Sequence, residues 1–236
     1  MPEQYGYLRT VFRYWLCSHR LLTFIISFAI AATFLTAFPV SVFPQNKPMN
    51  AASIEELKIN IRDAAQRIQT ISCDFIQEKE MSMIKEKIIS TGKFFFKKEK
   101  LLRWEYMQPF TWLIIIRNDQ ISIIDENKVN QFSVQSNKIF QEINRVILGS
   151  IRGTLIVDEK NFQATFSYNA FSWVVKLKPL APKLKESLSE IVIYIDRKDY
   201  SVNRLEMIEP GGDCTKINFI DKKLNQPIAD EKFMVP

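Results

Sequence analysis

The spacing of apolar residues changes once along the chain, near residue 70. Before that point Ile54, Leu57, Ile61 and Ile68 recur every three or four positions, which is typical of one apolar stripe on a helix. The pattern predicts an amphipathic helix of about 17 residues that begins at Ser53. Ser53 and the glutamate three residues later also match a capping box, which supports that start.

After this helix the apolar period shortens to two, as in half-buried strands. The clearest alternation is in residues 162–168, where Phe162, Ala164, Phe166 and Tyr168 share one face. Eleven runs of this kind are predicted, at 71–79, 87–97, 101–106, 111–117, 120–125, 128–134, 162–168, 171–178, 190–196, 202–208 and 213–220. The fold class is therefore mainly β (α+β), with an antiparallel sheet that must curl to protect its edges.

Two short helical segments interrupt the predicted strands. Residues 139–148 have helical spacing with Asn137 as a candidate cap, and a shorter turn follows Pro182 near residues 183–188. Together with the N-terminal helix, these segments could cover part of the concave face of the sheet.

The N-terminus has the pattern of a secretory leader. The uncharged run 21–38 follows Arg9, Arg13 and Arg20, so residues 1–44 are predicted to direct export, 45–52 to be a linker, and 53–236 to form the folded domain. The apolar run is also long enough to span a bilayer, so two alternatives are open: a cleaved leader or an uncleaved inner-membrane anchor. In both, the folded domain lies outside the cytoplasm.

Charge and composition exclude several classes of protein. Half of the formal charge of +6 lies in residues 1–50, so the domain is only mildly basic, unlike a nucleic-acid-binding protein. The single histidine, His19, lies in the leader, which removes imidazole from catalysis and metal binding in the domain. The chain has no glycine-rich phosphate loop or nucleophile elbow. We therefore expect neither an enzyme nor a cofactor.

The number of strands predicts an apolar cavity. Eight strands make a barrel that its own side chains fill, whereas about eleven enclose more space, and a hydrophobic guest is the natural occupant. The alternative, that the inward aromatic residues are ordinary core, stays open. The candidate lining residues are Phe94, Phe96, Leu102, Trp104, Tyr106, Phe166, Trp173, Val175, Leu177 and Ile193.

Several short segments, in this order, resemble the LolA family of periplasmic outer-membrane lipoprotein carriers. They are Phe75–Gln77, Gly92, Leu102–Trp104, Gln108–Pro109 and Asn225–Phe233. The resemblance implies an unclosed antiparallel β-barrel with a helical lid over an apolar cavity that shields acyl chains. It further implies a periplasmic, monomeric carrier that takes acylated lipoproteins from an inner-membrane transporter to an outer-membrane acceptor.

The resemblance also points to a residue that closes the lid. Family members have an arginine six residues before a tryptophan; here that position is Lys98, before Trp104. Lysine keeps the charge but lacks the fixed fork of arginine donors. Lys97 or Arg103 is an alternative latch, and an ordinary solvated lysine is the simplest interpretation of Lys98.

Two further questions stay open from the sequence. Cys73 and Cys214 could pair outside the cytoplasm if their strands meet, or Cys73 could be a small buried apolar residue. For function, the alternatives to a carrier are a sensor module of similar fold that binds lipid or lipoprotein, and an envelope assembly factor anchored by an uncleaved leader.

Overall fold

A computed structural model describes residues 46–83, 86–98, 101–125, 128–133 and 146–236. It contains one sheet of twelve strands, in which every neighbouring pair is antiparallel. The strands are β1 (Lys47–Pro48), β2 (Thr70–Met81), β3 (Glu86–Lys97), β4 (Leu101–Gln108), β5 (Trp112–Arg117), β6 (Gln120–Asp125), β7 (Lys128–Ser133), β8 (Phe162–Tyr168), β9 (Ser172–Pro179), β10 (Glu190–Asp196), β11 (Val202–Ile208) and β12 (Cys214–Leu224).

The helical segments are few and short, apart from the first. They are α1 (Ala51–Arg67), α2 (residues 146–151), α3 (Pro182–Lys185) and two 3₁₀ turns, Leu155–Val157 and Asp230–Phe233. Most of the predicted helix 139–148 lies outside the described residues, and the described part runs three residues past its predicted end.

The order of strands across the sheet is β1-β8-β9-β10-β11-β12-β2-β3-β4-β5-β6-β7. Within the described residues β1 and β7 are the two ends of this order and do not pair with each other, so the sheet is an unclosed barrel, as predicted. All eleven predicted strands are present. The twelfth, β1, is a two-residue strand in the segment 45–52 that the sequence indicates as a linker, and it pairs with β8.

The predicted start of the first helix is wrong by two residues. Helix α1 begins at Ala51, and its N-cap is Asn50, whose side-chain oxygen accepts a hydrogen bond from the Ser53 amide at 2.8 Å. The Ser53 amide is one of the donors that a cap must satisfy, so the asparagine three residues earlier takes the capping role that the capping-box pattern gives to Ser53.

Inward side chains from nearly all strands meet in one apolar core. The same cluster contains side chains of the helical segments: Leu57 and Ile61 of α1, buried residues of α2, Leu155 and Ile156 of the first 3₁₀ turn, and Leu184 of α3. We call α1, α2, the turn Leu155–Val157 and α3 the helical cover. The cover and the concave face of the sheet therefore bury their apolar surfaces against each other.

The C-terminus packs against the opposite face of β3 and β4. Phe233 is buried there, Arg103 Nη1 donates to the Lys232 carbonyl at 3.3 Å, and the Lys97 ammonium pairs with Asp230 at 2.5 Å. The Lys232 ammonium lies 4.6 Å from the centre of the outward Phe95 ring. Lys97 and Arg103, the alternative latch residues, thus hold the C-terminal turn on the outer face in this structure, and a role of either in closing the lid stays a prediction.

Gly92 allows β4 to lie unusually close to β3. The register between these strands shifts next to Gly92, and a β-carbon built there would lie 1.9 Å from the Glu105 carbonyl oxygen and 2.8 Å from the Phe75 ring. Both obstacles are fixed, one by the backbone and one by the core. Only glycine is compatible with this approach.

We expect Gly92→Ala to lower the free energy of unfolding by about 3 kcal/mol, because the added methyl group forces β4 away from β3. Urea denaturation checks this value. Gly211→Ala is the matched control, since a β-carbon at Gly211 has no atom within 4 Å. Equal stability of the two variants would contradict the close approach described above.

Cys73 and Cys214 lie on neighbouring strands but do not pair. Strands β2 and β12 are adjacent, yet Cys214 stands opposite Glu80, seven positions along β2 from Cys73. Seven residues of strand correspond to roughly 23 Å, far beyond the reach of a disulfide. Both thiols are free, and burial raises the pKa of the Cys73 thiol to about 12. The disulfide alternative is therefore wrong in this structure.

Alkylation should distinguish the two thiols. Cys73 stays protonated far above neutral pH and is buried, so we expect no labelling of it by iodoacetamide at pH 8 until the protein unfolds. Cys214 is half-buried and should react in the native protein, though slowly, because burial raises the pKa of its thiol as well. Peptide mass mapping measures both; labelling of Cys73 at the rate of Cys214 would refute the burial argument.

Candidate functional site

One wall of the concave face consists of inward side chains of β3 and β4. Phe94 stands opposite Trp104, and Phe96 stands opposite Leu102, in the antiparallel register. These four residues and Tyr106 are 1–8% exposed. The outward neighbours Phe95, Arg103 and Glu105 are only partly buried. The alternation in the sequence therefore correctly predicts which side chains turn inward.

Trp104 lies at the centre of an aromatic cluster on this wall. Its ring is 5.3 Å from Phe75 and 5.2 Å from Phe94, both in edge-to-face geometry. Tyr106 stacks on Trp112 at 4.2 Å between centroids. Such pairs stabilise the wall beyond simple burial of area.

The other wall comes from β8, β9 and β10. Val175 stands opposite Ile193, and both are fully buried, as is Leu177. Phe166 and Trp173 are half-buried and pack against the same cluster. All ten residues predicted to line the cavity therefore belong to or contact one apolar core.

Among the residues that the structure describes, the concave face packs against the helical cover. Leu57 and Ile61 of α1 bury themselves in the cluster that contains both walls. A cavity of about 540 Å³ lies elsewhere, beside β5–β7 and the C-terminus, and its lining includes Ile115, Arg117 and Phe233. A guest in contact with these wall residues would displace Leu57 and Ile61 from the cluster, and the role of the ten residues in binding stays a prediction.

Polar side chains follow the aromatic cluster along β2. Phe75, Gln77 and Lys79 alternate on the same side of this strand, and the phenolic hydroxyl of Tyr106 donates to Gln77 Oε1 at 2.9 Å. Burial raises the pKa of Tyr106, so its hydroxyl remains a donor. Lys79 pairs with Glu209 and lies 3.9 Å from Asp213. The same alternation, continued past Phe75, could have found them.

Lys98, the candidate latch, binds the end of α1. Its Nζ donates to the Gln66 carbonyl at 3.1 Å, and its backbone amide donates to the Gln69 carbonyl at 2.7 Å. The side chain is solvent-exposed. A cation at the carbonyl end of a helix interacts favourably with the helix dipole and with unpaired carbonyls. Lys98 thus connects the β3–β4 tip to α1.

Neither a metal site nor a membrane-spanning helix is found in the described ranges. Across residues 46–83, 86–98, 101–125, 128–133 and 146–236, no group of three or more His, Cys, Asp or Glu side chains is arranged to hold a metal ion. In the same ranges, no helix combines the length and apolar character needed to cross a bilayer.

Comparison with known proteins identifies relatives. Residues 66–236 match the family model described as outer membrane lipoprotein carrier protein LolA. The outer-membrane lipoprotein carrier protein of Pseudomonas aeruginosa strain PAO1 is 24% identical over 146 residues, which are 61% of this chain and 66% of that protein. The chain thus spans just under two thirds of the length of this relative.

Solved structures show the same fold at low identity. MucB has a TM-score of 0.51 and 10% identity, with 79% of this chain and 64% of that chain covered. An uncharacterised conserved protein from Thermus thermophilus has a TM-score of 0.50 and 9% identity, with 78% and 94% covered. Since the family model covers most of the chain and agrees with the open twelve-stranded sheet, this protein belongs to the LolA family.

Proposed function

We propose that this protein is a periplasmic carrier that binds the acyl chains of lipoproteins on its concave face and moves them from the inner to the outer membrane. The observation that supports the proposal most is the continuous apolar surface formed by the two walls, against which the helical cover packs. Membership of the LolA family supports the choice of guest. The proposed activity is binding and release, without catalysis.

The energetics favour a guest with long hydrocarbon chains. Each methylene group that leaves water contributes roughly 0.8 kcal/mol, so a chain of about 14 carbons contributes on the order of 10 kcal/mol before the costs of binding. Leu57 and Ile61 of α1 occupy the same apolar surface in the closed protein. The cover and the guest therefore compete, and closure of the cover offsets part of the binding energy when the guest leaves.

We assign Lys98 a smaller part in this closure. Its hydrogen bond to Gln66 holds the end of α1 at the β3–β4 tip. An exposed bond of this kind contributes about 1 kcal/mol, which tunes the position of the equilibrium between closed and open states without fixing it.

The proposed partners follow from the same role. An acylated lipoprotein is the guest, an inner-membrane lipoprotein-releasing transporter is the donor, and an outer-membrane protein is the acceptor. The carrier acts as a monomer and crosses the periplasm freely if the leader is removed; an uncleaved leader would restrict it to the inner membrane. N-terminal sequencing of the mature protein distinguishes these two forms.

The central test is the content of the purified protein. Native mass spectrometry of protein prepared from the periplasm should show a lipoprotein or lipid adduct. Trp104→Glu or Phe96→Glu should remove the adduct, because each places a charge on the buried wall. Phe171→Glu, at a site that is 75% exposed, is the control and should retain it.

Far-UV circular dichroism and urea denaturation must show that the wall variants still fold. A wild-type spectrum that contains only bare protein, under conditions that preserve lipid complexes of other carriers, would contradict the proposed function.

A second prediction concerns the cover. Ile61→Ala should lower the free energy of unfolding by about 2–4 kcal/mol, because it removes buried methylenes from the closed protein. The same change should strengthen the binding of a fluorescent fatty acid, since the guest displaces a helix that packs less tightly. If the substitution destabilises only the closed state, the Kd should fall roughly tenfold for each 1.4 kcal/mol by which that state is destabilised relative to the open state.

Ile59→Ala is the matched control on the same helix, because Ile59 is 51% exposed. It should change neither stability nor affinity appreciably. If Ile61→Ala weakened both stability and binding, α1 would be part of the binding surface and not its competitor.

A further inference from the structure

The indole nitrogen of Trp104 has no hydrogen-bond partner in the part of the chain that the structure describes. The atom is fully buried, and the whole side chain is only 3% exposed. A buried donor without an acceptor is unfavourable, and nearly all buried polar groups in proteins have a partner. Phenylalanine would provide an aromatic wall at this position without that cost.

The neighbours of Trp104 do not supply a good acceptor. The rings of Phe75, Phe94 and Phe219 surround it, with centroids 5.3, 5.2 and 6.4 Å away. A ring face accepts an N–H only weakly. The nearest polar pair on this wall, Tyr106 and Gln77, is already engaged, since the Tyr106 hydroxyl donates to Gln77 Oε1.

The position of this donor is informative because it lies where the wall changes character. On one side of Trp104 along β4 comes Leu102, which is apolar, and on the other comes Tyr106 with its hydroxyl. The inward side chains of β2 change from apolar to polar in the same direction: Phe75 is followed by Gln77 and then by Lys79. Along β4 and β2, Trp104 therefore lies between apolar side chains on one side and side chains with polar groups on the other.

An acylated molecule has a boundary of the same kind. Its hydrocarbon chain offers no acceptor, whereas the ester or amide carbonyl at the head of each chain does. We propose that the indole N–H of Trp104 donates a hydrogen bond to one acyl carbonyl oxygen of the guest, and so fixes how far that chain enters. The tail then lies toward Leu102 and Phe96, and the hydrophilic part of the guest lies toward Gln77 and Lys79. This inference rests on the proposed function.

A pair of matched lipids tests the contact. Dioctanoyl phosphatidylglycerol and its dioctyl ether analogue have the same chain length, but only the ester has acyl carbonyls. Calorimetric titration of the delipidated full domain, below the aggregation concentration of both lipids, gives the two Kd values. We expect the wild type to bind the ester about fivefold to tenfold more tightly, the range for one hydrogen bond.

Trp104→Phe should abolish this preference, so that the ratio of the two Kd values falls to about one even if the loss of ring area weakens the binding of both lipids. Tyr200→Phe is the control, because it also removes one polar hydrogen from an aromatic side chain, but its hydroxyl lies beside Asn60, outside the two walls. This control should keep the preference for the ester.

The outcomes separate the inference from the proposed function. If the wild type binds both lipids equally well, or if Trp104→Phe keeps the preference, the carbonyl contact is overturned and the carrier function stands. If the wild type binds neither lipid, the proposed function fails, and the inference fails with it. A preference that disappears in Trp104→Phe alone supports both.

Discussion

The structure depends on the need to cover one wide apolar concave surface. A sheet of twelve strands turns the inward side chains of both walls toward a common space, and these side chains cannot face water without a large free-energy cost. Helix α1 satisfies this need in the closed protein through Leu57 and Ile61. In the proposed function a guest must satisfy the same need, so the helix and the guest compete for one apolar surface.

The remaining features keep the wall rigid while the cover stays replaceable. Gly92 allows β3 and β4 to lie in close contact. The aromatic rings around Trp104 pack edge to face against these strands. On the outer side, Lys97 and Arg103 hold the C-terminal turn. By contrast, the bond from Lys98 to Gln66 is exposed and single. The wall is therefore supported from both faces, whereas the attachment of the cover at this tip is weak.

The sequence predicts the strands and the two walls well, because period-two alternation directly reports which side chains are buried together. The inward identity of Phe94 and Trp104 follows from parity alone. The start of α1 could not be found in this way, since Asn50 and Ser53 are both good capping residues and only the three-dimensional bond decides between them. The separation of Cys73 from Cys214 and the attachment of Lys97 to Asp230 depend on register and on long-range docking, which alternation does not encode.

The two ends of the strand order, β1 and β7, do not pair with each other within the described residues. A closed barrel has a circumference set by its strand number and stagger, so its interior cannot grow without breaking a ladder of hydrogen bonds. An open sheet has no such restriction, because it can uncurl while every existing strand pair stays intact. The width of the concave face can thus change as the sheet bends, and in the proposed carrier this lets one surface adjust to guests of different girth.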